Sequence, residues 1–83
     1  PAMQRLEVRN IDTDLIAGYL VAELGGERDG PVVRGAGWEV RFVPGEAARV
    51  GGIRVPVVFY EVEGEREDEV AAFLRRKTMR GGG

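Results

Sequence analysis

Two hydrophobic periods take turns along this 83-residue chain, and their order constrains its fold more than any other feature. Leu6 and Val8 alternate with Arg5, Glu7 and Arg9, the period-two pattern of a strand with one dry and one wet face. Leu15, Ile16, Tyr19, Leu20 and Leu24 then recur at helical spacing. Asp12 stands just before them, where its carboxylate accepts the free N–H groups of a first turn. Gly25 and Gly26 close this helix, which the spacing predicts over residues 13–24.

Residues 27–30 are polar and run into Pro31, which reads as a loop; Val32 and Val33 either add a short strand or pack down beside it. Trp38, Val40 and Phe42 alternate with Glu39 and Arg41 in a strand that stops at Pro44 and Gly45. Residues 47–52 read equally as a short strand ending in a glycine turn or as a loop. Residues 53–63 are β-rich, with Pro56 marking an edge or a bulge. The consecutive apolar residues Val57, Val58, Phe59 and Tyr60 present hydrophobic groups to both faces of a sheet. Behind Gly64, a second helix has Val70, Phe73 and Leu74 on its dry side and Glu67, Asp68 and Glu69 in its first turns. Arg75, Arg76, Lys77 and Arg80 close it, so charge opposes the helix dipole at both ends.

The expected architecture is therefore α+β: a two-layer sandwich of the α/β-plait kind, in the order βα, then two or three strands, then α. Both helices pack on one face of a three- to five-stranded, mainly antiparallel sheet. The βα unit does not recur, and a chain of this length makes one domain, residues 1–83. Pro1 and Ala2 are expected to be a cloning remnant before a native Met3, and residues 81–83 a flexible glycine tail.

Chemistry is constrained by what is missing. The chain contains no Cys, no His and no Ser. These side chains supply most protein nucleophiles, most bases poised near neutral pH and most zinc ligands. Thr13, Thr78, Tyr19 and Tyr60 are the only hydroxyls, with no imidazole to activate them. A non-enzymatic protein with no cofactor and no metal is expected. The formal net charge of −2 sets up no field to attract nucleic acid or an acidic membrane. No segment approaches the roughly 20 apolar residues of a membrane span, and the first ten residues lack the apolar core of a signal peptide, so a cytoplasmic location is expected. Arg dominates the basic residues, Lys77 is the only lysine, and Gln4 and Asn10 are the only side-chain amides, a composition that fits a thermophile.

Four constellations compete for a functional role. Arg75, Arg76, Lys77 and Arg80, running into the terminal glycines, offer guanidinium groups to an anion or a nucleic acid. Dipole compensation accounts for them more simply, since no aromatic residues are interleaved to stack bases. Gly25, Gly26 and Gly30, with Gly35 and Gly37, suit turns rather than a phosphate cradle, because none follows a strand to open a helix. The carboxylates Asp12, Asp14, Glu65, Glu67, Asp68 and Glu69 fall at helix starts, where capping explains them. Trp38, Val57 and Phe59, with Val55 beside them, are the candidate interface, an apolar patch on the open side of the sheet for an unknown protein partner or for a homodimer. Coverage of that patch by residues 32–37 and 47–52 is the competing expectation.

The βα start, the Trp38 to Phe42 strand, the Arg49-Val50-Gly51-Gly52 turn and the ending Arg76-Lys77-Thr78-Met79-Arg80-Gly81-Gly82-Gly83 together resemble a small prokaryotic family, the MoaD-related C-terminal domain. The resemblance implies an α/β plait and an association with molybdopterin-cofactor biosynthesis, with no catalytic residues to carry over. Gly82 and Gly83 also match the Gly-Gly terminus of ubiquitin-like sulfur carriers, which would make them a carrier terminus. That fold opens with a β-hairpin, whereas one strand precedes the first helix here, and a helix runs almost directly into these glycines. The leading expectation is an accessory domain acting by protein contact, ahead of an anion-binding module and a sulfur carrier.

Overall fold

A computed structural model describes residues 3–79 of the chain. The elements follow in the order β1 (Gln4–Arg9), α1 (Thr13–Leu24), β2 (Glu27–Asp29), β3 (Val32–Gly35), β4 (Trp38–Pro44), β5 (Ala48–Val50), β6 (Ile53–Val55), β7 (Val57–Glu63) and α2 (Glu67–Thr78). Five strands form one sheet in the order β1-β7-β4-β3-β2, and β5 pairs only with β6. Every neighbouring pair is antiparallel. β1 and β4 therefore run the same way with β7 between them, while α1 leads from β1 to β2 at the far edge and β2, β3, β4 and β7 follow as an antiparallel meander. The structure is the α+β fold that the two hydrophobic periods predict.

Both helix ends of α1 follow from local chemistry. Asp12 takes an extended conformation and accepts the Asp14 N–H at 2.9 Å, and Gly25 leaves the helix in the left-handed region. One side of the helix supplies Ile16, Ala17 and Leu20 to the core, and α2 supplies Val70, Phe73 and Leu74. The sheet answers with its even-numbered residues: Val8 on β1, Val40 and Phe42 on β4, and Tyr60 and Val62 on β7. Phe42 and Tyr60 face each other across the register, and their rings meet edge to face at 4.9 Å.

Three segments depart from the sequence expectations or resolve them. Residues 27–29 form β2 rather than a loop: Glu27, Arg28 and Asp29 are all exposed, so the strand is made by backbone pairing to β3 and leaves no hydrophobic period. Residues 47–52 contain a strand, β5, that turns through Gly51 and Gly52 into β6. Their φ values of 57° and 84° are what a two-residue type I′ hairpin demands at both central positions. Pro56 separates β6 from β7, so the β-rich stretch divides between two sheets. β7 is an interior strand, and Pro56 itself only contributes its carbonyl to the Asn10 N–H, at 2.9 Å.

Tyr60 is fully buried, and its hydroxyl has no hydrogen-bond partner among the described residues. Burial, with the Asp12 carboxylate adding to it, pushes this hydroxyl up to about 12. An unfolded tyrosine loses its proton near about pH 10. The native state holds the proton longer, so the associated stability is complete below about pH 10 and is lost as the pH rises toward about 12. Tyr60→Phe is expected to flatten that alkaline decline. It should leave stability near neutral pH unchanged or about 1 kcal/mol higher, because a buried hydroxyl without a partner disappears. Urea unfolding of both proteins near neutral pH and near about pH 11 checks this.

Candidate functional site

The side of the sheet away from the helices carries the odd-numbered residues of β1, β4 and β7. Val57 and Phe59 lie there, but Trp38 does not: it shares the parity of Val40 and Phe42 and is buried in the core under the helices. The three residues of the candidate interface therefore do not form one patch. Trp38 sits at the end of β4, where the even positions point to the dry layer, and its ring lies against Gly26 and Gly35. Phe59 is half-buried beneath the Arg5 guanidinium, 4.1 Å from the ring centroid, and Gly45 passes so close on its far side that a Cβ there would overlap the ring. Val57 is buried beside it. Around this small apolar area the face is ionic, with Arg9 paired to Glu7 at 2.8 Å and Arg34 to Glu39 at 2.9 Å.

The basic end of α2 is likewise divided. Lys77 reaches Glu23 of α1 at 2.8 Å and lies over the Tyr19 ring, while Arg75 donates to the Gln4 amide oxygen of β1 at 3.4 Å. Arg76 is exposed. Arg80, Gly82 and Gly83 lie outside the described residues. Most of the candidate carboxylates have partners, but only Asp12 caps a helix: no side chain caps α2, whose N-cap is Arg66, and Glu67 Oε2 is buried with no hydrogen-bond partner among the described residues. Asp12 caps α1, Asp14 pairs with Arg28 at 2.8 Å, and Gln4 Nε2 donates to Asp68. Glu69 receives two hydrogen bonds from Arg66, which hold its carboxyl below the usual carboxylate range. Among the described residues, no group of three or more acidic side chains could hold a metal ion.

The β5–β6 hairpin presents the surface with the strongest contrast. Its register opposes Val50 to Ile53, Ala48 to Val55 and Arg49 to Arg54. Opposed residues share a face, so one side is apolar, with Ala48, Val50, Ile53 and Val55, and the other carries two guanidinium groups. Val50 and Ile53 are 53% and 67% exposed, large values for β-branched residues at paired positions. Neither Arg49 nor Arg54 has a carboxylate in ion-pair distance among the described residues. At the root of the hairpin, Pro44, Gly45, Ala47, Arg54, Pro56 and Val57 line an open cleft of about 390 Å³. Of these residues the sequence reading places Val55 and Val57 on the candidate apolar patch, but it does not single out Arg49, Val50, Ile53 and Arg54 as a surface. The signal was present: alternating apolar residues on both sides of Gly51-Gly52 are a hairpin pattern.

No helix among the described residues is long and apolar enough to cross a membrane. No curated protein matches the chain. A family model described as archaeal MoaD-like protein matches residues 4–83.

Proposed function

This chain belongs to the archaeal MoaD-like family, and from that premise we propose that it is a non-enzymatic accessory of molybdopterin-cofactor assembly that docks on a partner protein through the β5–β6 hairpin. The observation that carries the docking surface is the exposed, two-sided hairpin. An isolated two-stranded ribbon is marginal in water, and this one belongs to no larger sheet and turns its β-branched residues outward. Such an arm gains when Val50 and Ile53 enter an apolar groove and Arg49 and Arg54 meet carboxylates at its rim. The partner that fits is a protein with an apolar trough flanked by Asp or Glu. The chemistry of cofactor assembly then belongs to that partner, consistent with a chain that has no imidazole, no thiol and no serine hydroxyl.

The double variant Val50→Glu/Ile53→Glu tests this directly. Its thermal midpoint is expected to stay within a few degrees of wild type, because both side chains are more than half exposed and the repulsion between the opposed carboxylates falls on a ribbon outside the main sheet. Its affinity for a cofactor-assembly enzyme, measured by calorimetric titration against purified candidates, is expected to fall by about a hundredfold, as for two central apolar anchors. Equal binding by the variant, or no binding of wild type to any such enzyme, would refute the proposal. So would turnover of a cofactor precursor by the purified chain alone.

A further inference from the structure

β1 lies at the edge of the sheet, with β7 as its only neighbour among the described residues. The Asn10 N–H donates to the Pro56 carbonyl, which fixes the parity of the ladder: on β1 the backbone groups of Gln4, Leu6 and Val8 turn toward β7. Those of Arg5, Glu7 and Arg9 turn outward, and no hydrogen bond to them is made by the described residues. The opposite edge, β2, is three exposed charged residues long, the short, charged form that discourages pairing. β1 is twice that length and carries half-buried Leu6 and buried Val8 beside the open edge.

We propose that this edge binds the same edge of a second copy of the chain, antiparallel, across a twofold axis at Leu6. Directly opposed residues must share a face, which leaves few centres for such a pairing. An axis at Glu7 opposes Glu7 to its own copy and Arg5 to Arg9, so every charged contact is repulsive. An axis at Val8 soon reaches Asn10, whose φ of 58° bends the chain out of the strand. An axis at Leu6 keeps five residues of each strand in register. It places Leu6 against Leu6, Gln4 against Val8 and, twice, Arg5 against Glu7. The Arg5 and Glu7 positions are the ones whose backbone groups face outward, so the opposite charges coincide with the hydrogen-bonded pairs. Glu7 uses Oε2 to bind Arg9 and keeps Oε1 for the incoming guanidinium.

The helix layer gives an independent reason for the same axis. Asp68 and Arg75 lie on the β1 flank of α2, since both bind Gln4. The axis stands perpendicular to the sheet, so α2 and its copy run antiparallel on the same side. With strands about 4.8 Å apart and α2 packed over β1, β7 and part of β4, the two helix axes come within about 10–15 Å, within reach of long charged side chains. The acidic first turn of one, Glu67 to Glu69, then lies along the basic last turn of the other, Arg75 and Arg76. Charge complementarity thus appears in both layers. The pairing uses a surface remote from the β5–β6 tip and does not rest on the proposed docking role.

Sedimentation equilibrium of the full chain tests the proposal. Wild type is expected to reach a monomer–dimer equilibrium, and Glu7→Arg to raise its dissociation constant by about tenfold or more by setting like charges against Arg5 on both sides of the axis. The double exchange Arg5→Glu/Glu7→Arg recreates opposed charges and is expected to restore the wild-type constant within about threefold. Circular dichroism of each variant reports that the fold is kept. The Val50→Glu/Ile53→Glu protein is expected to dimerise as wild type does. A wild-type monomer at every concentration, a dimer indifferent to Glu7→Arg, or a double exchange that stays monomeric would each overturn the proposal.

Discussion

Gly64→Ala is expected to cost about 4 kcal/mol of folding stability, a large share of the roughly 5–15 kcal/mol that holds a domain together, because two penalties coincide there. The residue has φ 118°, a conformation that side-chain-bearing residues rarely adopt. An added Cβ would also sit on the Gly37 carbonyl oxygen, with the Trp38 Cα 2.8 Å away. Both neighbours are backbone, so no side chain can swing aside. They cannot move freely either: the same Gly37 carbonyl accepts the Arg66 N–H at 3.0 Å, and Arg66 Nη1 donates to the Ala36 carbonyl at 3.1 Å. The β3–β4 turn and the start of α2 are thereby locked together through one glycine. Urea denaturation should show the loss as a lower midpoint with an unchanged slope. A cost under about 1 kcal/mol would mean that the close approach does not exist.

The second large effect is expected at Trp38, the only tryptophan. Its indole is 4% exposed and lies in a trough whose walls are Gly26 and Gly35, where a Cβ at either glycine would run into the ring. Trp38→Ala should cost about 3–5 kcal/mol, the range for emptying a large aromatic site that cannot collapse around the loss. Trp38→Phe should cost less, since part of the volume stays filled. It also removes an indole N–H that is buried without a partner among the described residues. Affinity for a docking partner, measured on the folded fraction, should not change, because the ring faces the helices. A Trp38 variant of native stability that had lost partner binding would return this residue to an interface and contradict its position in the core.

Trp38 illustrates what was legible in the sequence and what was not. The alternation Trp38, Val40, Phe42 was enough to define a strand and to say that these three share a face. It did not say which face, because β7 is apolar at consecutive positions and offers a hydrophobic side in both directions. Only the register, with Phe42 opposite Tyr60 and Val43 opposite Phe59, separates the layer under the helices from the layer under Arg5. The α1 cap was readable because Asp12 and Gly25 act through their own backbone neighbours. β2 was unreadable for the opposite reason: its strand character comes from a partner, β3, and leaves no trace in the residues Glu27, Arg28 and Asp29. Of the candidate surface, the turn at Gly51-Gly52 was visible as a turn, but the exposure of Val50 and Ile53 depends on β5 and β6 leaving the main sheet at Pro44 and returning at Val57. That excursion is a property of the tertiary fold. The basic residues at the end of α2 are adjacent in sequence but not in space. Lys77 and Arg75 instead diverge, one toward α1 and the other toward β1.

The place of β1 at the margin of the sheet also bears on how the protein acquires its structure. The β2–β3, β3–β4 and β5–β6 pairs each close across two residues, so their loop entropy is small and they can assemble within microseconds. β1 must instead find β7 from the other end of the chain, and it does so only after β7 has been delivered. Pulse-labelled hydrogen exchange during refolding should therefore protect the amides of Val40 and Phe42 before those of Leu6 and Val8, making the N-terminal strand the last part of the sheet to dock.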